Sequence, residues 1–62
     1  MNLNYKKLRI MLIEKDMKQG DLAKAAGVSY PTIGNVCRGL SCSRSVAERI
    51  AEALGVPVDK LL

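Results

Sequence analysis

A chain of 62 residues, 48% of them apolar and with a net charge of +4, has room for one compact core, because domains this small bury only roughly 60% of the surface their unfolded chains expose. It is too hydrophobic for the disordered class, and its longest unbroken apolar run, Ile10 to Ile13, falls far short of a membrane span. Without histidine, and with six carboxylates scattered among basic neighbours, it offers little to general acid–base chemistry; no catalytic residue, cofactor, metal or small-molecule substrate is expected.

Residues 1–62 are expected to form a single domain. The N-terminus is broken up by Asn4, Tyr5, Lys6, Lys7 and Arg9 and lacks the apolar stretch of a secretory signal, so the cytoplasm is the expected location. The positive charge is uneven. Residues 18–44 set Lys18, Lys24, Arg38 and Arg44 against Asp21 alone, whereas residues 45–62 set Glu48, Glu52 and Asp59 against Arg49 and Lys60. A polyanion would be steered to the middle of the chain.

The spacing of Leu8, Met11, Leu12 and Lys15 predicts a first helix over residues 4–15, with Leu8, Met11 and Leu12 on its apolar face. Ile10 and Ile13 lie outside that face and either widen the buried stripe or belong to a partner surface. Lys6, Lys7 and Arg9 suit a solubilising face and a contact to a polyanion backbone equally. A second helix is predicted over Gln19–Ala26, with Leu22, Ala23 and Ala26 inward and Gly27 free to take the left-handed conformation at its end.

Val28 turns into the core, and Ser29 is a good N-cap for a third helix from Tyr30 to about Arg38. Pro31 falls in its first turn, where a missing N–H is harmless, Ile33, Val36 and Cys37 point inward, and Gly39 ends it. Ser43 caps a fourth helix, whose buried face is Val46, Ala47, Ile50, Ala51 and Leu54 and whose stop is Gly55. A fifth helix of one turn, Asp59 to Leu62, brings leucines that either cap the core or contact a second subunit. Cys37 and Cys42 match neither a zinc spacing nor a disulfide framework and read as reduced, packed thiols. The fold class is therefore all-α, a compact bundle of five short helices.

A helix of about eight residues, a tight turn at Gly27 and a second helix with inward positions three and four apart is the sequence form of a helix-turn-helix. Ala23 and Ala26 are small enough for two steeply crossed helices to approach. With Ile33, Val36 and Cys37 inward, a helical wheel turns Pro31, Gly34, Asn35 and Arg38 to the opposite face, with Tyr30 and Thr32 at its edges. Such a strip can meet base edges in the major groove of double-stranded DNA: Asn35 can pair with adenine, Tyr30, Pro31 and Thr32 can meet base edges or thymine methyls, and Gly34 supplies closeness rather than contact. Lys18, Gln19, Arg38, Ser41, Ser43 and Arg44 are placed to touch phosphates, which orient a protein without reading sequence.

The stretches Met17-Lys18-Gln19-Gly20-Asp21-Leu22-Ala23-Lys24-Ala25-Ala26-Gly27-Val28-Ser29, Thr32-Ile33 to Arg38-Gly39, and Arg49-Ile50-Ala51-Glu52-Ala53-Leu54-Gly55-Val56 closely resemble the phage repressor and Cro family of helix-turn-helix proteins, over nearly the whole chain. The resemblance implies a lambda-repressor-like DNA-binding domain of a transcription regulator, acting as a homodimer on a partly palindromic operator. It also implies that Gln19 binds phosphate and that Tyr30, Pro31, Gly34 and Asn35 stand at base-reading positions. The same fold can instead serve as an antirepressor or antitoxin that binds protein, a role that Ile10, Ile13, Leu61 and Leu62 would support. Three departures from the family stand out. Lys18 replaces a capping Ser or Thr, at about 1 kcal/mol. Leu12 and Cys37 replace an Arg–Glu pair, an exchange that removes the desolvation cost of two charges. Pro31 and Gly34 replace long polar readers, which implies moderate sequence discrimination.

Overall fold

The computed structural model describes residues 1–62 as four α-helices, α1 (Tyr5–Glu14), α2 (Gln19–Ala26), α3 (Tyr30–Cys37) and α4 (Arg44–Leu54), followed by a 3₁₀ turn at Val58–Leu61. No helix is long and apolar enough to cross a membrane. Where a fifth helix is predicted from the sequence, the chain makes only this single turn. It starts just after the extended Pro57 and closes with i to i+3 bonds, from Lys60 N–H to Pro57 O at 3.0 Å and from Leu62 N–H to Asp59 O at 3.3 Å. Four residues give too few bonds to offset the nucleation of an α-helix.

The helix starts are fixed locally. Asn4 Oδ1 accepts from the N–H groups of Lys6 and Lys7, both at 3.1 Å, Ser29 Oγ accepts from Thr32 N–H at 3.4 Å, and Ser43 Oγ accepts from Val46 N–H at 3.1 Å. α2 is different. A lysine ammonium has no lone pair to offer, so Lys18 cannot cap with its side chain; instead Asp21 Oδ2 reaches back to accept from Lys18 N–H at 3.0 Å, which is half of a capping box. Gly27 and Gly55 end α2 and α4 with φ of +67° and +70°, the left-handed region that costs other L-residues steric strain.

α2 packs on both α3 and α4, α1 closes the other side of α3, and the 3₁₀ turn rests on α1 and α4. Leu8, Leu22, Ile33, Val36, Cys37, Ile50 and Leu61 are the large, fully enclosed side chains, each worth about 1.5–3 kcal/mol of burial for the aliphatic ones. No charged or polar side chain is buried; Leu12 and Cys37 both belong to the single apolar cluster. The ends of the chain are stitched together. Asn4 N–H donates to Leu61 O at 2.6 Å and Cys42 N–H to Met1 O at 2.8 Å, which tucks Leu3 into the core.

Two open choices of the sequence are decided here. Ile10 and Ile13 are 57% and 74% exposed and do not widen the buried stripe, because Leu8 and Leu12, four apart, set that stripe on the opposite side of α1. Leu61 is enclosed while Leu62 stays 48% exposed, so Leu61 caps the core and has no surface left for a second subunit.

Candidate nucleic-acid interface

The inner face of α3 is enclosed between α1 and α2 by Ile33, Val36 and Cys37, and this fixes what its other face shows. Tyr30 and Pro31 are exposed, and Thr32 and Asn35 are half-buried. The Thr32 hydroxyl shares a 2.8 Å hydrogen bond with Ser29 Oγ, so part of its capacity serves the start of α3. Gly34 departs from the helical-wheel expectation of an open strip: it is buried. Its cover is side chain, not backbone. A Cβ at Gly34 would lie 3.5 Å from Arg38 Nη1 and 3.7 Å from Gln19 Oε1, so two long polar groups fold across the space a larger residue would fill. Arg38 Nη2 also donates to Asn35 Oδ1. Gln19, Asn35 and Arg38 thus converge over one glycine.

Around this cluster lie the cations. Lys18 is exposed at the start of α2, beside the first-turn N–H groups that no helix can pair internally. Arg9 joins them: it lines an open groove with Leu12, Ile13, Met17, Lys18 and Gln19. The sequence left Lys6, Lys7 and Arg9 undivided, yet residues two apart on a helix point about 200° apart. Lys7 accordingly goes the other way, its Nζ donating to Leu62 O at 2.7 Å. Arg9 and Arg38 also make themselves felt at Cys37, where burial pushes the thiol above its ordinary value of 9.0 and the two guanidinium charges pull it back. The C-terminal end of α3 is a positive region.

Ser41 and Ser43 in the α3–α4 connection and Arg44 at the start of α4 form a second group, each with a partner within the chain. Ser41 Oγ donates to Met1 O at 3.4 Å, Ser43 caps α4, and Arg44 Nε donates to Glu48 Oε1 at 3.1 Å. That last pair is solvent-exposed and weak enough for an outside anion to exchange with.

A helix-turn-helix family model matches residues 6–61. Among solved structures the chain is similar to the transcriptional regulator VanUg, at 33% identity and a TM-score of 0.82, covering 97% of this chain and 80% of that one. It is also similar to part of the Streptomyces albus protein HEPD, solved with its substrate 2-hydroxyethylphosphonate and Fe(II) bound, at 27% identity and a TM-score of 0.86. That match covers 95% of this chain but only 14% of the other. No curated protein matches the chain. With the turn at Gly27, the pinned α3 and a family match across almost every residue, the chain belongs to the phage repressor and Cro type of helix-turn-helix family, a family of DNA-binding regulators.

Proposed function

We propose that the protein is a sequence-specific, double-stranded-DNA-binding transcriptional regulator of the repressor type, without enzymatic activity, acting in the cytoplasm. α3 lies in the major groove, where Tyr30, Pro31, Thr32 and Asn35 meet base edges, while Gly34 leaves room for the Gln19 and Arg38 side chains folded over it. Lys18, Gln19 and Arg38, with Arg9 beside them, hold phosphates on one side, and Ser41, Ser43 and Arg44 hold them on the other. The observation that carries this reading is the outer strip of α3: hydrogen-bonding, free of carboxylates and flanked by cations.

The regulator acts as a homodimer on a partly palindromic operator, as the family implies. The Val56–Leu62 edge is the proposed contact, now with Leu62 rather than Leu61 as its exposed apolar group. Leu62→Asp should lower the sedimentation mass towards that of one chain, and an unchanged mass would count against that edge.

Salt dependence tests the DNA reading. A dimer making ~6–10 phosphate contacts should lose ~10³–10⁵ in duplex affinity between 50 and 200 mM salt. Gln19→Ala should weaken all duplexes alike, whereas Asn35→Ala should relax sequence preference. The exposure of Ile10 and Ile13 favours a second reading, a protein-binding antirepressor or antitoxin; absence of any salt-sensitive duplex binding would select it.

A further inference from the structure

We infer that Tyr5, which lies outside the proposed DNA surface, is a positioning residue for it: its ring, seated on Gly39, sets the course of the α3–α4 connection and so stations the groups there that meet phosphate. This inference rests on the DNA-binding role proposed above.

The connection has little to hold it from within. The N–H groups of Gly39 and Leu40 still bond back to α3, at Val36 O and Asn35 O, both at 3.0 Å, and Ser43 already caps α4. Between them the backbone bonds go to Met1. Cys42 N–H donates to Met1 O at 2.8 Å, and the Met1 nitrogen donates to Cys42 O at 3.0 Å. The N–H groups of Ser41 and Ser43 find no backbone partner. An N–H group cannot turn on its own, because the planar peptide carries it. Where these donors point, and where the Ser41 hydroxyl stands, is decided by the path of the chain.

Tyr5 acts on that path at its first bend. Gly39 takes a φ of +89°, and a Cβ there would lie 3.1 Å from Tyr5 Cδ1, inside the separation of about 3.5–4.0 Å at which carbon atoms pack. The ring thus fills the side of Gly39 that any larger residue would need. Its base is fixed, because Tyr5 opens α1, which Leu8 and Leu12 anchor in the core. Three residues beyond Gly39, the half-buried Cys42 packs against that core. The connection is therefore held at both ends by contacts that the outer strip of α3 does not share.

The test is a double-mutant cycle in affinity for a pool-selected duplex, using the wild-type chain, Tyr5→Ala, Tyr5→Phe and each of these with Ser41→Ala. Tyr5 and Ser41 are both exposed, so the variants should fold. In the wild type Ser41→Ala should weaken binding about tenfold, the loss of a hydrogen bond to a charged group. Beside Tyr5→Ala it should cost less than about threefold, the coupling expected of groups that act together. Tyr5→Phe keeps the ring and should match the wild type in both backgrounds. A lower folded fraction in Tyr5→Ala would reduce affinity by one factor with or without Ser41 and cannot produce this coupling. The same cost of Ser41→Ala in both backgrounds would overturn the inference, as would no cost in the wild type. A loss in Tyr5→Phe equal to that in Tyr5→Ala would also overturn it, by making the hydroxyl a phosphate contact in its own right. Binding of no duplex by the wild-type chain is a different failure, because it removes the DNA reading itself and the inference with it.

Discussion

α3 and α4 are both short helices with a serine N-cap and one buried face, yet their outer faces differ in kind. α4 shows solvent Arg44, Glu48, Arg49 and Glu52, charges of both signs, three of which find partners within the chain: Arg44 pairs with Glu48 at 3.1 Å, and Arg49 Nη1 donates to Gly27 O at 3.4 Å. α3 shows Tyr30, Pro31, Asn35 and, at its end, Arg38, with no carboxylate among them. A face of mixed charge is balanced in water as it stands. A face of uncharged hydrogen-bonding groups beside cations without a carboxylate suits an anionic partner, and this is the physical content of the proposal that α3 meets DNA.

The comparison is broken most severely by putting charge under α3. Cys37→Glu or Leu12→Arg alone places an unpaired charge in the apolar cluster and should cost about 3–5 kcal/mol, a large share of the roughly 3–9 kcal/mol that 62 residues usually hold. The double variant should recover a folded chain in urea denaturation. Small and equal effects from both single changes would contradict the shared burial of these positions.

Ile33→Ala, at a fully enclosed site on the inner face of α3, should cost about 2–5 kcal/mol. Duplex affinity should then fall in step with the folded fraction. Full duplex affinity in a variant whose folded fraction has fallen would mean that the inner face does not station the outer one.

A gentler probe of the same sealed face is the Cys37 thiol. Burial raises its pKa in the folded chain above 9.0, so the folded state holds the proton more tightly than the unfolded one. Its contribution is therefore complete below about pH 9 and is lost as pH rises beyond that value. The urea midpoint should fall more steeply above pH 9 in the wild type than in Cys37→Val, and parallel curves would show the thiol to be open to water.

The smallest effect belongs to α4. Glu48→Ala removes one exposed i, i+4 pair and should change stability by less than about 0.5 kcal/mol, with sequence preference on DNA untouched. A change in that preference would blur the distinction between the two helices.

What the sequence made legible was local or periodic. Asn4, Ser29 and Ser43 announce helix starts because their oxygens reach N–H groups two or three residues on, and Gly27 and Gly55 announce stops because only a left-handed residue turns the chain there. Ile33, Val36 and Cys37 were placed by spacing alone. What escaped depends on segments far apart in sequence. Leu3 is buried because Asn4 N–H meets Leu61 O, and no periodicity reports that closure. Leu61 and Leu62 are chemically identical neighbours, separated only by the direction of one 3₁₀ turn. A helical wheel gives the direction of a Cα but not the path of a long side chain, so it could not show Gln19 and Arg38 folded over Gly34. The same limit hid Asp21 standing in for the cap that Lys18 cannot supply.

The most direct measurement is the set of backbone amide shifts as a pool-selected duplex is added to the labelled chain. The outward strip of α3 and the first turn of α2, from Tyr30 through Arg38 and from Lys18 through Gly20, should move most, while Glu48, Arg49 and Glu52 on α4 stay nearly still. The largest changes at Glu48 to Glu52, or around Ile10 and Ile13, with α3 silent, would contradict the assignment of DNA to α3.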